Sequence, residues 1–223
     1  MLHDAQWSGF PCFVVAGGPS LKSFDFSLLR DVPRVIVING AMREVHTADA
    51  FITEDARFIT RFACEPWWKA FKGERIFACP DDAYVPEVLA VAPEVRVIRS
   101  RPKSQGWSTS LAGGLSTSSC SLIPALNLAD VLGANPIYLL GVDLGSDASN
   151  YHSLYPASWA NGKGQMDSYR SDVELWAALH LRHRCVLNLN ATSSVRCWTR
   201  TIAEYDDAVK AALKAHQRVD ACV

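Results

Sequence analysis

Short apolar runs recur along this sequence and set narrow limits on its architecture. In most of them the apolar residues follow one another without alternating with polar ones, which is typical of strands buried on both faces of a parallel sheet. The predicted strands are Phe13–Ala16, Arg34–Ile38, Ala48–Asp55, Gly73–Pro80, Glu94–Ser100, Pro136–Leu140 and Cys185–Asn190.

Segments with helical character lie between these runs. In Ser118–Leu132 the apolar residues recur at intervals of three and four, and the segment ends at Gly133, a residue typical of helix C-termini. Asp172–Arg182 and Ile202–Val219 are also predicted helices, and the aromatic-rich segment Arg57–Phe71 is predicted to be helical in part. This alternation predicts an α/β fold with a doubly wound, mostly parallel sheet and helices on both faces, of Rossmann-like type.

Composition places the chain among ordinary globular proteins. Its 223 residues suffice for one sizeable core, so we expect a single domain over residues 1–223. With a formal net charge of -1, the chain has no excess of positive charge that would favour non-specific nucleic-acid binding. The 7 cysteines are scattered without a C-x-x-C pair, which predicts reduced thiols in a cytoplasmic protein. We expect no signal peptide, no membrane span and no metal site, since no pattern typical of these is present.

The first predicted strand ends in Gly17-Gly18-Pro19-Ser20. In a doubly wound sheet, ligands bind beyond the carboxyl ends of the strands. Glycines there allow close approach of the backbone, and free N–H groups suit a phosphate. The same residues would also suit a tight turn in which Ser20 only caps a helix, and both readings stay open because the stretch matches neither the P-loop nor the dinucleotide fingerprint.

Polar side chains follow the second and third predicted strands. Asn39 could hold a ribose, a base or a phosphate, or it could be a left-handed turn residue. Glu54 and Asp55 could bind a metal ion or a sugar hydroxyl, or they could complement the dipole of a helix N-terminus.

The second half of the chain adds hydroxyl groups, an acid and a histidine. The run Ser116–Ser121 precedes a helix and could form an anion or sugar site, or only a capping segment. Asp143 closes a predicted strand, and His152 follows it in a loop, where it could act as a general base or be merely exposed. The segments 100–119 and 145–165 exceed the usual connection length, which favours lids or binding loops.

Several of these stretches occur in one order that resembles a known superfamily. They are "VVAGGPSL", "VIVINGA", a Ser/Thr-rich helix start running into "ALNLADVLGANPIYLLGVDLG", a histidine, and "NLNATSS". The superfamily joins the family-42 sialyltransferases with the DUF115 group, which includes archaeal hydroxymethylpterin diphosphokinases and flagellin-modifying motility accessory factors. The resemblance covers roughly residues 12 to 198, and small phage-encoded members are the most similar in length.

The resemblance implies a transferase that uses a nucleotide-activated donor without a metal ion. His152 would deprotonate an acceptor hydroxyl, Asp143 matches the acid of a G-x-D motif, and Tyr151 or Tyr155 could support the leaving phosphate. Gly17 stands where the sialyltransferases carry Asn. Together, the candidate catalytic residues are His152, Asp143 and Tyr155, and the candidate donor-binding residues are Gly17, Gly18, Pro19, Ser20, Asn39, Asp55, Ser118, Ser119 and Asn190.

Three functions remain open on the sequence. The first is a glycosyltransferase of phage or prophage type, acting in the host cytoplasm on DNA, a glycan or a protein, as a monomer or a homo-oligomer. The second is a diphosphokinase that uses ATP and Mg²⁺, with Glu54, Asp55 and Asp143 as ligands. The third is a non-catalytic nucleotide-binding accessory protein that keeps the fold without the chemistry.

Overall fold

A nine-stranded parallel sheet forms the centre of the protein. The computed structural model describes residues 1–145, 149–156, 159, 163–200, 207 and 209–214. The strands are β1 (Cys12–Val15), β2 (Val35–Ile38), β3 (Ala50–Thr53), β4 (Glu74–Cys79), β5 (Arg96–Arg101), β6 (Leu115–Ser116), β7 (Ile137–Leu140), β8 (Val186–Asn188) and β9 (Thr199–Arg200). Their order across the sheet is β6-β5-β4-β3-β2-β1-β7-β8-β9, with every pair parallel.

Helices cover both faces of this sheet, as predicted. They are α1 (Ala56–Phe62), α2 (Pro66–Ala70), α3 (Val85–Val91), α4 (Leu122–Val131) and α5 (Lys163–His180). Short 3-10 helices occupy Pro19–Ser23, Phe26–Leu29, Asn39–Arg43, Asp82–Tyr84 and Lys103–Gln105. No helix within the described residues is long and apolar enough to cross a membrane.

The strands are buried on both faces because each side of the sheet has its own core. Val14 and Ile36 pack with residues of α4 and α5, among them Leu126 and Trp176. The alternate strand residues, Phe13 and Phe51 among them, pack on the other face with Phe58 of α1, Trp68 of α2 and Val88 of α3. Two apolar layers explain why the strands read as continuous apolar runs.

The chain reverses direction across the sheet next to β1. From β1 it moves outward through β2 to β6, and then returns through α4 to β7 on the other side of β1. Val14 is therefore in register with Ile36 of β2 and with Leu139 of β7. In such folds the loops after the two strands at this switch point diverge and leave a ligand crevice between them.

The boundaries differ from the prediction in several places. All seven predicted strands are present, but β6, β9 and α3 are additional elements. Helix α4 begins at Leu122 instead of Ser118, and α5 begins at Lys163 instead of Asp172. Of the predicted helix over 202–219, residues 207 and 209–214 are helical, and the rest lies outside the described residues.

Neither of the two predicted lid segments is a simple loop. Segment 100–119 contains the end of β5, a 3-10 turn and strand β6, and it buries Ser108 and Leu115. Segment 145–165 includes the start of α5, and residues 146–148, 157–158 and 160–162 lie outside the described part. Their function as lids stays a prediction.

Candidate functional site

Two adjoining cavities form one crevice at the carboxyl edge of the sheet. The inner cavity, of about 140 Å³, lies at the switch point, between the loop after β1 and the loop after β7. The outer cavity, of about 540 Å³, lies beyond β2 to β4 and is bordered by Tyr84, Tyr155, Trp159 and Tyr169. The two share Asn39, Cys120, Ser121 and Tyr169 in their walls. The crevice is therefore continuous from the switch point to the aromatic border.

The loop after β1 is held tightly against the end of β7. The Gly18 N–H donates a hydrogen bond of 2.9 Å to the carbonyl of Gly141. A Cβ on Gly18 would lie 1.7 Å from Oδ2 of Asp143, so no larger residue fits there without moving the loop. Pro19 begins a 3-10 helix, and the Ser20 hydroxyl donates to Asp143 Oδ2 over 2.9 Å. Gly18 thus packs the loop against the end of β7, and its N–H is not free for a phosphate; a contact between this loop and a ligand stays a prediction.

Asp143 connects three strand ends. Its carboxylate accepts hydrogen bonds from Ser20 and from the Asn190 side-chain amide, and its carbonyl accepts from the N–H of Ser194 over 2.9 Å. Asn188, at the end of β8, donates to the carbonyl of Val142 over 3.1 Å. The predicted site residues Ser20, Asp143 and Asn190 are therefore brought together, as a hydrogen-bonded network beneath the inner cavity.

Asn39 has an amide oxygen without a partner at the junction of the two cavities. Its backbone is left-handed, with φ of 51°, and its side-chain Oδ1 is buried without a hydrogen bond. Burial raises the pKa of the Tyr155 hydroxyl above its ordinary value of 10.0. The Tyr155 hydroxyl consequently stays protonated near neutral pH. An unpaired buried acceptor beside a protonated hydroxyl is suited to binding a polar ligand.

His152 lies behind the wall of the crevice. A Cβ on Gly40 would be 2.0 Å from its Nε2, a buried nitrogen without a hydrogen-bond partner, while its Nδ1 accepts from the Leu154 N–H over 3.4 Å. Burial, with the positive charge of Arg43, lowers the pKa of His152 to about 4, so the ring is neutral at pH 7. Neither cavity has His152 among the described residues that line it.

The serines predicted as donor contacts bind the carboxylate of Asp172, and Ser119 also lines the outer cavity. Ser118 and Ser119 both donate to Oδ2 of Asp172 on α5, over 2.5 and 2.6 Å, and Lys103 pairs with the other oxygen. Ser121, in the same run, lines both cavities, and its hydroxyl accepts from the Glu54 N–H over 3.1 Å. The hydrogen-bond partners of Ser118 and Ser119 lie on α5, which is distant in sequence, and a contact of this run with a donor stays a prediction.

The two acids after β3 have different environments. Asp55 accepts from the backbone N–H of Arg57 over 3.0 Å at the start of α1, and its carboxylate also pairs with the Arg57 guanidinium. This is the helix N-terminal role that the sequence left open. Glu54 lines the outer cavity, and burial raises its pKa to about 8. In the described part of the chain no three His, Cys, Asp or Glu residues are grouped as metal ligands, so Glu54, Asp55 and Asp143 do not form such a set.

Comparison with known proteins identifies the fold. No protein-family model and no curated protein matches this sequence. Among solved structures, MAf glycosyltransferase from Magnetospirillum magneticum AMB-1 matches with a TM-score of 0.59 and 19% identity, over 98% of this chain and 38% of that one. The sialyltransferase CstII from Campylobacter jejuni, in complex with cytidine-5'-monophosphate, matches with a TM-score of 0.55 and 13% identity, over 88% of this chain and 86% of that one.

A second structure of the same sialyltransferase, in complex with a trisaccharide acceptor and CMP, matches with a TM-score of 0.51 and 12% identity, over 85% of this chain and 84% of that one. The chain spans well under half the length of the MAf protein and nearly the whole of the sialyltransferase. At these identities the likeness establishes that this chain has the Rossmann-like fold of these glycosyltransferases.

Proposed function

We propose that this protein is a metal-independent glycosyltransferase that takes a sugar from a nucleotide donor and transfers it to a hydroxyl group. The observation that carries the proposal is the crevice at the switch point, where the Gly17–Ser20 loop meets the unpaired amide oxygen of Asn39. Gly17, Pro19 and Asn39 line the inner cavity, where glycine lets a ligand approach the backbone closely and the amide suits a ribose or a base. The two sialyltransferase structures of the same fold were solved with CMP, which is consistent with a nucleotide at this position.

The aromatic side of the crevice suits the sugar and the leaving phosphate. The Tyr155 hydroxyl lines the outer cavity and stays protonated, so it can donate a hydrogen bond to a departing phosphate oxygen. Tyr151 is less suitable because its hydroxyl already donates to the carbonyl of Gly40 over 3.3 Å. Between the two tyrosines that the resemblance leaves open, we therefore assign the leaving-group role to Tyr155.

In this proposal Asp143, Ser118 and Ser119 act by positioning other residues. Both oxygens of Asp143 accept hydrogen bonds from protein groups, so we assign it to positioning the Gly17–Ser20 loop and not to proton transfer. Ser118 and Ser119 hold the start of α4 through Asp172 and thereby fix Ser121 at the cavity wall. Residues 1–223 would work as one domain, with a DNA, glycan or protein hydroxyl as the acceptor.

A thermal-shift titration against CMP, CDP, UDP, GDP, ADP and ATP, with and without Mg²⁺, tests this proposal. At a nucleotide concentration about 100 times Kd, binding should stabilise the native state by about 2.7 kcal/mol and raise the Tm by about 5–10 °C. A shift with CMP or a nucleoside diphosphate without metal supports the proposal and selects the donors for a hydrolysis assay. A shift only with ATP plus Mg²⁺ would replace it with the diphosphokinase, and no shift with any nucleotide or matching sugar nucleotide would contradict it.

A further inference from the structure

Glu54 is a half-buried acid in the wall of the outer cavity. It follows β3 directly, and β3 pairs with β2, so Glu54 and Asn39 extend from neighbouring strand ends into the same cavity. The hydroxyl of Ser121 fixes the Glu54 backbone by accepting from its N–H over 3.1 Å. The backbone of Glu54 is therefore held by the sheet and by the N-cap residue of α4.

No described cation neutralises Glu54. The titratable groups that line the same cavity are Asp55, Arg57, Tyr84, Cys120, Tyr155 and Tyr169. The one cation among them, Arg57, is paired with Asp55 through two of its nitrogens. Cys120 and Tyr169 are uncharged near neutral pH because burial raises the pKa of each. A carboxyl group that lines a cavity and whose ionised form no described cation stabilises points to a function in that cavity.

Proton transfer is the function that this environment favours. A general base works best when its pKa lies near the operating pH, and burial brings the pKa of Glu54 to about 8. His152, to which the resemblance assigns this role, has its free nitrogen against Gly40 and outside both cavities. Of the two groups, only Glu54 is in the wall of the space that a sugar acceptor could enter.

We propose that the carboxylate of Glu54 accepts the proton of the acceptor hydroxyl during glycosyl transfer. This inference rests on the proposed function. As the acceptor oxygen forms its bond to the anomeric carbon, the bond from that carbon to the nucleotide phosphate breaks and its electron pair leaves with the phosphate. The hydroxyl proton passes to Glu54, which releases it to solvent after the product departs. Tyr155, on the same cavity, donates to the leaving phosphate and leaves Glu54 to act on the acceptor.

A pH profile distinguishes this role from a structural one. Hydrolysis of the sugar nucleotide is a suitable reaction because water replaces the unidentified acceptor. For the wild type, kcat/KM should rise about tenfold per pH unit below the pKa and level off near pH 8, where Glu54 becomes ionised. In the Glu54→Gln variant kcat should fall about 100-fold or more, and kcat/KM should no longer rise with pH below pH 8.

The experiment compares the wild type, Glu54→Gln and Glu65→Gln with the sugar nucleotides chosen by the nucleotide titration. Glu65 is exposed at the start of α2, so Glu65→Gln should keep the full profile. Retained nucleotide-induced thermal shift in Glu54→Gln would show that the variant is folded and binds, and lost turnover would then support the proposal. Turnover by Glu54→Gln with an unchanged profile would overturn this inference and leave the proposed function intact. Absence of both binding and turnover in the wild type would overturn both.

Discussion

Among single residues, Asn39 offers the sharpest test of nucleotide binding. Its left-handed backbone suits Gly and Asn, whereas Ala in that conformation costs about 1–2 kcal/mol. Asn39→Gly should therefore weaken nucleotide binding about tenfold, by loss of one hydrogen bond, while the Tm stays near that of the wild type. Asn39→Ala should lose the same affinity and also several degrees of Tm. A thermal-shift titration measures both effects, and wild-type affinity in Asn39→Gly would show that the unpaired oxygen has no part in binding.

The contact between Gly40 and His152 makes a second prediction at the residue scale. The His152 ring is packed between Tyr151 and Tyr155, with centroid distances of 4.8 and 4.9 Å, and cannot easily move away from a methyl group on residue 40. Gly40→Ala should thus lower the free energy of unfolding by about 1–3 kcal/mol. Urea denaturation of Gly40→Ala, His152→Ala and the double variant measures the coupling. The double variant should recover most of the Gly40→Ala loss, and simple additivity would contradict the described packing.

The segment before α4 is joined to α5 through the carboxylate of Asp172, which defines a prediction for these elements. The Asp172 carboxylate accepts hydrogen bonds from Ser118 and Ser119 and forms an ion pair with Lys103. Removing it leaves these three groups without their partner. Asp172→Ala should lower the free energy of unfolding by about 1–3 kcal/mol, more than either serine changed to alanine alone. Asp82→Ala is the control because Asp82 and its partner Arg99 are both largely exposed. Equal Tm values for Asp172→Ala and Asp82→Ala would contradict a structural role for this connection.

The same elements show what the sequence could and could not predict. The central strands were predictable because two covering layers make each of them continuously apolar. Strands β6 and β9 have two residues each, too few for any pattern, and α3 leaves Leu89 and Val91 exposed. The residues after β1, β2 and β7 were predicted to lie close together because parallel strands bring their carboxyl ends to one edge, and they do line one crevice.

Side-chain partners distant in sequence were not predictable from local patterns. The two serines that donate to Asp172 lie more than 50 residues before it in the chain. Local patterns also offered no reason to distinguish the adjacent Glu54 and Asp55. Both line the outer cavity, but Asp55 caps α1 and pairs with Arg57, whereas burial raises the pKa of Glu54. The difference arises from the tertiary packing of α1, the α4 start and α5 around the end of β3.

At the scale of the whole molecule, Glu54 should make stability depend on pH. The unfolded chain ionises this group at its ordinary pKa of 4.5, whereas the native protein holds the proton until about pH 8. In that window the native state binds more protons, so the free energy of unfolding falls as pH rises, by up to about 1.4 kcal/mol per unit from this group. His152 has the opposite effect below its ordinary pKa of 6.5. Burial keeps its ring neutral in the native state down to about pH 4, so its contribution to the free energy of unfolding rises with pH over that range. The fall should therefore be clearest between about pH 6.5 and 8.

Urea denaturation at several pH values in this window tests the prediction without any substrate. The wild type and the exposed control Glu65→Gln should lose stability together as pH rises, whereas Glu54→Gln should lose much less because it carries no proton to release. Parallel curves for wild type and Glu54→Gln would show that the carboxyl is ionised in the native protein. There would then be no reason to expect kcat/KM to rise with pH and level off near pH 8. A flattened curve for Glu54→Gln would establish a protonated carboxyl in the crevice wall, independently of the proposed function.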